Sequence, residues 1–228
     1  MDEKDQIITR ALDQGRNVLS EYESKLLLHA CGIPVTREEE VRDEDALLRA
    51  CDRIGYPVAI KGCSPHLAHK TEQGLVRVDV RDREEARGAF REIFPVVQDM
   101  GGAVLVQEMV KGSRELMAGM TRDPQFGPCV MFGLGGIFTE ILKDVSFRVA
   151  PIEKRDALEM MQEIRGRRIL EAVRGMPAAD LDQICRILTG LGDLGVQHEA
   201  IQEIDLNPVI LSGSAPVVVD ALVVLAKK

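Results

Sequence analysis

Residues 58–80 read Val58-Ala59-Ile60-Lys61-Gly62-Cys63-Ser64-Pro65-His66-Leu67-Ala68-His69-Lys70-Thr71-Glu72-Gln73-Gly74-Leu75-Val76-Arg77-Val78-Asp79-Val80. Both ends are strand-like. Residues 57–61 form an apolar run ending in a lysine, and 75–80 alternate apolar and polar, as a half-buried strand does. A lysine closing an apolar strand sets a point charge on a rigid base, within reach of a phosphate oxygen. It is also the ordinary position of a solvated lysine whose stem packs on apolar surface. Between the strands lie Lys70, Gly62, Gly74 and two of the chain's four histidines, His66 and His69. Glycines let backbone N–H groups approach anionic oxygens. A neutral imidazole keeps a nitrogen lone pair near pH 7 and can serve as a nucleophile toward phosphorus. The same histidines also suit a plain surface loop.

A second group lies near the end of the chain. In Glu203-Ile204-Asp205-Leu206-Asn207-Pro208, an extended backbone puts Asp205 and Asn207 on one face. The apolar run Pro216-Val217-Val218-Val219 ends in Asp220, and a carboxylate there calls for a partner, because burying it alone is costly. Two carboxylates and an amide are the hard oxygen donors that magnesium shares with phosphates. Read blandly, Asn207-Pro208 simply opens a turn. Between the two groups, Val104-Leu105-Val106-Gln107-Glu108-Met109-Val110 reads as a core strand that can also offer backbone groups to a flat heterocycle. Gly133-Leu134-Gly135-Gly136 follows a strand but lacks the Lys-Ser/Thr of a P-loop and the spacing of a dinucleotide fingerprint.

The remaining pattern is mixed. Helices are expected over 4–14, from Ser20 to Gly32 with Ser20 and Glu23 at capping-box spacing, from Asp43 to Gly55, over 83–94, and over most of 153–194 with a break at Gly175-Met176-Pro177. Further strands are expected at 103–107, 115–121, 128–132, 201–205, 207–211 and 216–220, followed by a short apolar tail. Helices and closely spaced strands interleave without repeats, which implies an α+β fold with a boundary near 105–112.

The 228 residues carry a net charge of −8, the reverse of a general nucleic-acid binder, so any polyphosphate must be met by a few placed cations and amides. No apolar stretch is long enough to span a bilayer, and the charged start MDEKDQIITR has no signal-peptide core. The five scattered cysteines form no zinc pattern and are odd in number. Together these point to a cytoplasmic protein that binds neither nucleic acid nor membrane.

Taken in order, these pieces are a strand lysine, Ser64-Pro65-His66-Leu67-Ala68-His69-Lys70-Thr71, a strand with Glu108, Gly133-Leu134-Gly135-Gly136-Ile137, Asp205-Leu206-Asn207-Pro208 and a late Asp220. The order resembles the ATP-grasp family, and is most similar to the beta subunits of ADP-forming acetyl-CoA synthetases, over about residues 15–225. The resemblance implies a two-lobed α+β fold with a nucleotide cleft between the lobes. An N-terminal lobe would span 20–106 with Lys61 and the His-Lys loop. A C-terminal lobe would span 107–228 with the magnesium site, and helix 1–19 would pack on it. It implies ATP/ADP and Mg2+ as cofactors, and an acetate–CoA ligase (ADP-forming) reaction run reversibly through a phosphohistidine relay.

The residue roles implied are as follows. His69 would carry the phosphoryl group. Lys61, Lys70 and Gly74 would meet the phosphates. Glu108, Val110 (through its backbone) and Glu115 would line the base and ribose. Asn207, Asp220 and Asp205 would hold magnesium. Asp205 stands where succinyl-CoA synthetases have Glu, and His66 stands where relatives often have Asp. The chain has no G-x-G-x-x-G, so a CoA-binding alpha subunit is implied as partner, in an assembly of two alpha and two beta chains. Two rival readings stand beside this one: another ATP-grasp carboxylate ligase acting through acyl phosphate, and a non-catalytic nucleotide-binding subunit.

Overall fold

The computed structural model describes residues 2–67, 73–136 and 144–227. It divides into two compact units, one of residues 1–19, 24–35 and 110–228, the other of 20–23 and 36–109.

The smaller unit is built on an antiparallel four-stranded sheet. Its strands are β1 (Glu38–Val41), β2 (Val58–Cys63), β3 (Val76–Val80) and β4 (Ala103–Glu108), in the order β1-β4-β2-β3. Helices α3 (Glu44–Ile54) and α4 (Arg83–Gln98) bury Leu47, Ala50, Phe90, Ile93 and Val97 with Val58, Ile60, Val104 and Val106 of the sheet. Each helix starts where an aspartate can cap it. Asp43 accepts from Ala46 N, and Asp82 accepts from Glu84 N and Glu85 N. Helix α4 runs past Pro95, where a sequence reading stops it, because Val97 in its last turn is fully buried. Val58 and Ile60 face the helices, so Ala59, Lys61 and Cys63 point to the other side of β2.

Strand β3 departs from the alternation expected of it. Val78 is 63% exposed and Asp79 has φ 58°. Val58 pairs with Val80 and Ile60 with Arg77, so β3 spends three steps where β2 takes two. This bulge on an edge strand turns Val78 outward.

The larger unit carries helices α1 (Glu3–Asp13), α5 (Lys154–Glu163) and α6 (Leu181–Gln197). Its six-stranded sheet consists of β5 (Glu115–Asp123), β6 (Gly127–Leu134), β7 (Val145–Val149), β8 (Ile201–Ser212), β9 (Ala215–Val218) and β10 (Ala221–Leu225). The order is β10-β8-β5-β6-β7, with β9 also on β8, and every pairing is antiparallel. Leu116, Ala118, Met120, Val130, Phe132, Ile204, Leu206 and Val223 meet Leu188, Leu191 and Met160 of the helices in one core. Leu27, Leu28 and Ile33, from helix α2 (Glu21–Ala30) and the residues after it, belong to this core, which is why 24–35 group with this unit. Among the described residues no helix is long and apolar enough to cross a membrane.

Helix α2 opens on the expected capping box. Glu23 N donates to Ser20 Oγ at 3.2 Å, and Ser20 N donates to Glu23 Oε2 at 2.9 Å. Ser20→Ala removes one of these bonds, and the expected loss is about 1 kcal/mol. Urea denaturation followed by circular dichroism checks it; an unchanged midpoint would mean that packing alone holds this helix start.

Candidate functional site

Strand β8 positions the acidic group. Ile204, Leu206, Val209 and Leu211 are buried in the core. Between Leu206 and Val209 the alternation slips by one residue. Leu206 pairs with Ala118 and Val209 with Leu116, so Asn207 and Pro208 together face Met117 alone. This is a β-bulge, a device that re-aims side chains, and it accommodates a proline, which has no N–H for the ladder. On its other edge β8 changes partner at the same place, from β10 through Leu206 to β9 from Val209. The sequence alternative of a turn at Asn207-Pro208 is therefore replaced by one continuous, bulged strand.

Asp205 lies between the buried Ile204 and Leu206 and so points away from the core. Its neighbour on β5 is Gly119, where an added Cβ would sit 2.7 Å from Ile204 O, so no side chain covers that flank. Asp205 Oδ1 is buried and has no hydrogen-bond partner. Burial, then the charges of Glu203 and Asp220, push its pKa from 3.8 to about 6. Asp220, which directly precedes β10, is thus within electrostatic reach, and its Oδ1 accepts from Ala221 N at 2.9 Å.

Asn207 Oδ1 accepts from Gly136 N at 3.4 Å. Gly135 N donates to Glu115 O at 2.9 Å, and a Cβ on Gly135 would meet Leu116 O at 2.5 Å. Gly136 has φ 61°, and a Cβ there would lie 2.0 Å from Glu115 Oε2. The glycine pair is required by this close approach, a role its weak motif does not announce. The larger unit therefore gathers Asp205, Asn207, Asp220, Glu115 and Gly135-Gly136.

This donor set suits a hard divalent cation. It offers two carboxylates and an amide oxygen, including one buried oxygen with no partner, and leaves other positions to water and phosphate, the usual habit of magnesium. Among the described residues no group of three or more His, Cys, Asp or Glu is assembled for a metal, so a self-contained zinc-type cage is not what these residues build.

The smaller unit holds the lysine. Lys61 is 6% exposed, and its Nζ donates to Glu21 Oε1 at 2.8 Å. Both partners are buried, so the pair is costly to break by removing one of them. Sequence reading missed Glu21, because an acid in the first helical turn reads as a simple complement to the helix dipole. Beside them Cys63 is buried, and burial first of all raises its thiol pKa to about 11, which keeps it unreactive at neutral pH.

The other expected residues are less gathered. Glu108 is engaged by Arg37, whose backbone N donates to Oε1 at 2.9 Å and whose Nε donates to Oε2 at 2.7 Å. Lys61 pairs with Leu105, three positions along β4 from Glu108. Val110 is half-buried and begins the long C-terminal segment of the larger unit. Gly74 has φ 69° and its carbonyl accepts from Arg77 Nη1 at 2.7 Å. His66 is exposed, with its backbone N on Ser64 Oγ at 3.2 Å. His69 and Lys70 lie outside the described residues.

An ATP-grasp domain profile matches residues 10–225. The acetate–CoA ligase [ADP-forming] I subunit beta of Pyrococcus furiosus is 42% identical over 226 residues, covering 96% of this chain and 97% of that one. This chain belongs to the ATP-grasp family of ADP-forming acyl-CoA synthetase beta subunits. The acetate–CoA ligase [ADP-forming] I of Archaeoglobus fulgidus is 41% identical over 98% of this ATP-grasp chain, which spans only 33% of that longer relative. An acetyl-coenzyme A synthetase 1 from Candidatus Korarchaeum cryptofilum superposes with a TM-score of 0.87 at 41% identity. It covers 98% of this chain and 100% of that one, and was solved with coenzyme A and Mg-AMPPCP, its phosphohistidine segment pointing towards the nucleotide binding site. The α+β ATP-grasp fold expected from sequence is thus borne out, and relatives named as subunit beta imply a partner subunit.

The raised pKa of Asp205 gives a pH prediction. Its folded-state pKa, about 6, exceeds the ordinary 3.8, so the folded protein holds the proton longer than the unfolded one. The carboxyl therefore costs nothing below pH 3.8, and stability falls as pH rises from there to about 6. Asp205→Asn removes this loss, so in the absence of metal and nucleotide it should be more stable than the parent by about 1–2 kcal/mol at pH 8, and equal to it near pH 3.5. Chemical denaturation at both pH values is the check; equal stability at pH 8 would show the carboxylate to be well solvated.

Proposed function

We propose that this chain is the beta subunit of an ADP-forming acyl-CoA synthetase. With a CoA-binding alpha subunit it would convert acyl-CoA, ADP and phosphate into carboxylate, CoA and ATP, reversibly, through a phosphohistidine relay. The working assembly proposed is two alpha and two beta chains in the cytoplasm, where nucleotide and acyl-CoA pools meet. The observation that carries the reading is the buried, unpartnered oxygen of Asp205 beside Asp220 and Asn207, in a chain that is 42% identical to a named beta subunit across nearly its full length.

In this reading Asp205, Asn207 and Asp220 hold magnesium, and Glu115 supports that wall through its contact with the glycine turn. Bound magnesium supplies charge neutralisation at the phosphate oxygens. Lys61 adds a second positive charge. The bond to Glu21 fixes the direction in which its ammonium would meet a phosphate oxygen. Lys70 and Gly74 complete the phosphate contacts, and Glu108 and Val110 the base side. His69 receives the phosphoryl group on a ring nitrogen. As a β-phosphate oxygen of ADP attacks, the N–P bond breaks, the new O–P bond forms and neutral imidazole is regenerated. Phosphoryl transfer of this kind depends on positioning and charge neutralisation more than on covalent chemistry by the protein.

Co-expression with the alpha chain from the same source, followed by assay of ATP formation over a set of acyl-CoAs, tests the proposal. Asn207→Ala and Asp220→Ala are each expected to lower the rate on the order of 10²-fold. Lys61→Ala should raise the KM for ADP. His69→Asn should abolish acid-labile phosphate labelling of this chain. Stoichiometric labelling that survives His69→Asn would refute the relay, and Mg-ADP binding without turnover would leave a nucleotide-binding subunit in its place.

A further inference from the structure

Residues 164–178, Ile164-Arg165-Gly166-Arg167-Arg168-Ile169-Leu170-Glu171-Ala172-Val173-Arg174-Gly175-Met176-Pro177-Ala178, carry four arginines against one glutamate in a chain of net charge −8. All four arginines are exposed. Many exposed arginines elsewhere, such as Arg37, Arg77, Arg83 and Arg91, hold a carboxylate, and those that do not, Arg10, Arg49 and Arg186, are scattered singly along the chain. Those of 164–178 hold none among the described residues. Arg167 donates only to Gln162 O, at 3.3 Å, and the side chains of Arg165, Arg168 and Arg174 have no hydrogen-bond or ion-pair partner among the described residues.

The backbone beneath them is held by two buried charges. The Arg114 guanidinium, 5% exposed, donates to Ile169 O, Glu171 O, Pro177 O and Gly213 O at 3.0, 3.2, 2.8 and 2.7 Å. Asp144 accepts from Arg165 N and Gly166 N, each at 2.7 Å. Ile164 and Leu170 anchor the segment in the core. A short 3-10 turn, Arg167–Leu170, is followed by a tight hairpin closed by reciprocal bonds between Val173 and Met176. Its tip is Arg174-Gly175, with φ 48° and 82°. Glycine or asparagine is the usual choice in that left-handed region, so a chain that puts arginine there accepts strain to place the charge.

We infer that this arginine segment is a docking surface for an acidic face of the alpha subunit. The inference rests on the proposed function for the existence of that partner. Charge complementarity argues for the occupant: four clustered cations that hold no carboxylate among the described residues, on a fixed backbone, await carboxylates from another molecule. Their spread along a turn and a hairpin suits a surface better than one small anion. Val173, 38% exposed beside them, adds the apolar contact that accompanies arginine at protein interfaces.

The test is the double charge reversal Arg168→Glu/Arg174→Glu, with the alpha chain titrated by analytical ultracentrifugation at low and high salt. Association of the parent should weaken as salt rises. The variant should bind the alpha chain at least 10-fold more weakly, with a flatter salt dependence. Its isolated chain should bind Mg-ADP as the parent does, and ATP formation should recover at high alpha concentration. Arg168→Lys/Arg174→Lys should retain most of the association, which separates charge from folding. Unchanged association of the glutamate variant would overturn the inference. So would loss of Mg-ADP binding, which would assign the arginines to nucleotide, or lost turnover with intact association. A parent complex that forms but makes no ATP would sink the catalytic reading while leaving this surface standing. A parent chain that never binds the alpha chain would sink both.

Discussion

The two-residue period of strand β8 is the constraint on which the acidic site depends. Ile204 and Leu206 must point into the core, so Asp205 has to point out. A regular strand would continue that alternation indefinitely. Here the bulge at Asn207-Pro208 resets it, so that Val209 and Leu211 return to the core while Asn207 and Pro208 share the space opposite Met117. The same two residues mark the change of neighbour from β10 to β9. Proline suits this point because no ladder bond needs its missing N–H. One local irregularity thus fixes the direction of Asn207, and the start of β10 at Ala221, paired with Leu206, brings Asp220 alongside.

The chain accepts electrostatic cost at this point. A buried carboxylate oxygen without a partner is destabilising, and Asp205 has two further carboxylates near it. No folding argument favours that arrangement over a serine or a valine at position 205. It becomes intelligible if a cation completes it, in line with the general trade between stability and activity at working sites. The Lys61–Glu21 pair follows a different logic. There the two charges are desolvated together and cancel, so the strand lysine is held in one place by a partner from the start of helix α2.

Much of this was legible in sequence because it depends on local rules. Capping aspartates and the Ser20–Glu23 box mark helix starts, Gly32 and Gly55 mark ends, and Asp205-x-Asn207 with a later Asp220 has the spacing of paired oxygen donors. What was not legible depends on partners distant in the chain. Strand β1 is Glu38-Glu39-Glu40-Val41, with no apolar alternation. It exists because β4 offers a free edge, and Arg53 and Arg42 hold Glu39 and Glu40. Strand β7 shows Phe147 and Val149 outward, so its pattern reads as irregular, and β10 reads as an apolar tail until β8 pairs with it. Glu21 looks like an ordinary first-turn acid until Lys61, forty residues later, is found against it.

The distribution of unsatisfied charge divides the surface by purpose. Most exposed arginines hold a carboxylate of the same chain, and such pairs contribute little to stability while cancelling the field around them. Two described places stand out, with opposite signs: the buried, unpartnered oxygen of Asp205, and the clustered arginines of 164–178. Both stand on rigid supports, a bulged strand in the first case and a backbone fixed by buried Arg114 and Asp144 in the second. Rigidity is what makes an uncompensated charge selective, because a fixed charge loses little side-chain or backbone freedom when its partner arrives. The proposed magnesium with its phosphates would meet one of these fixed fields, and the inferred acidic surface of the alpha subunit the other.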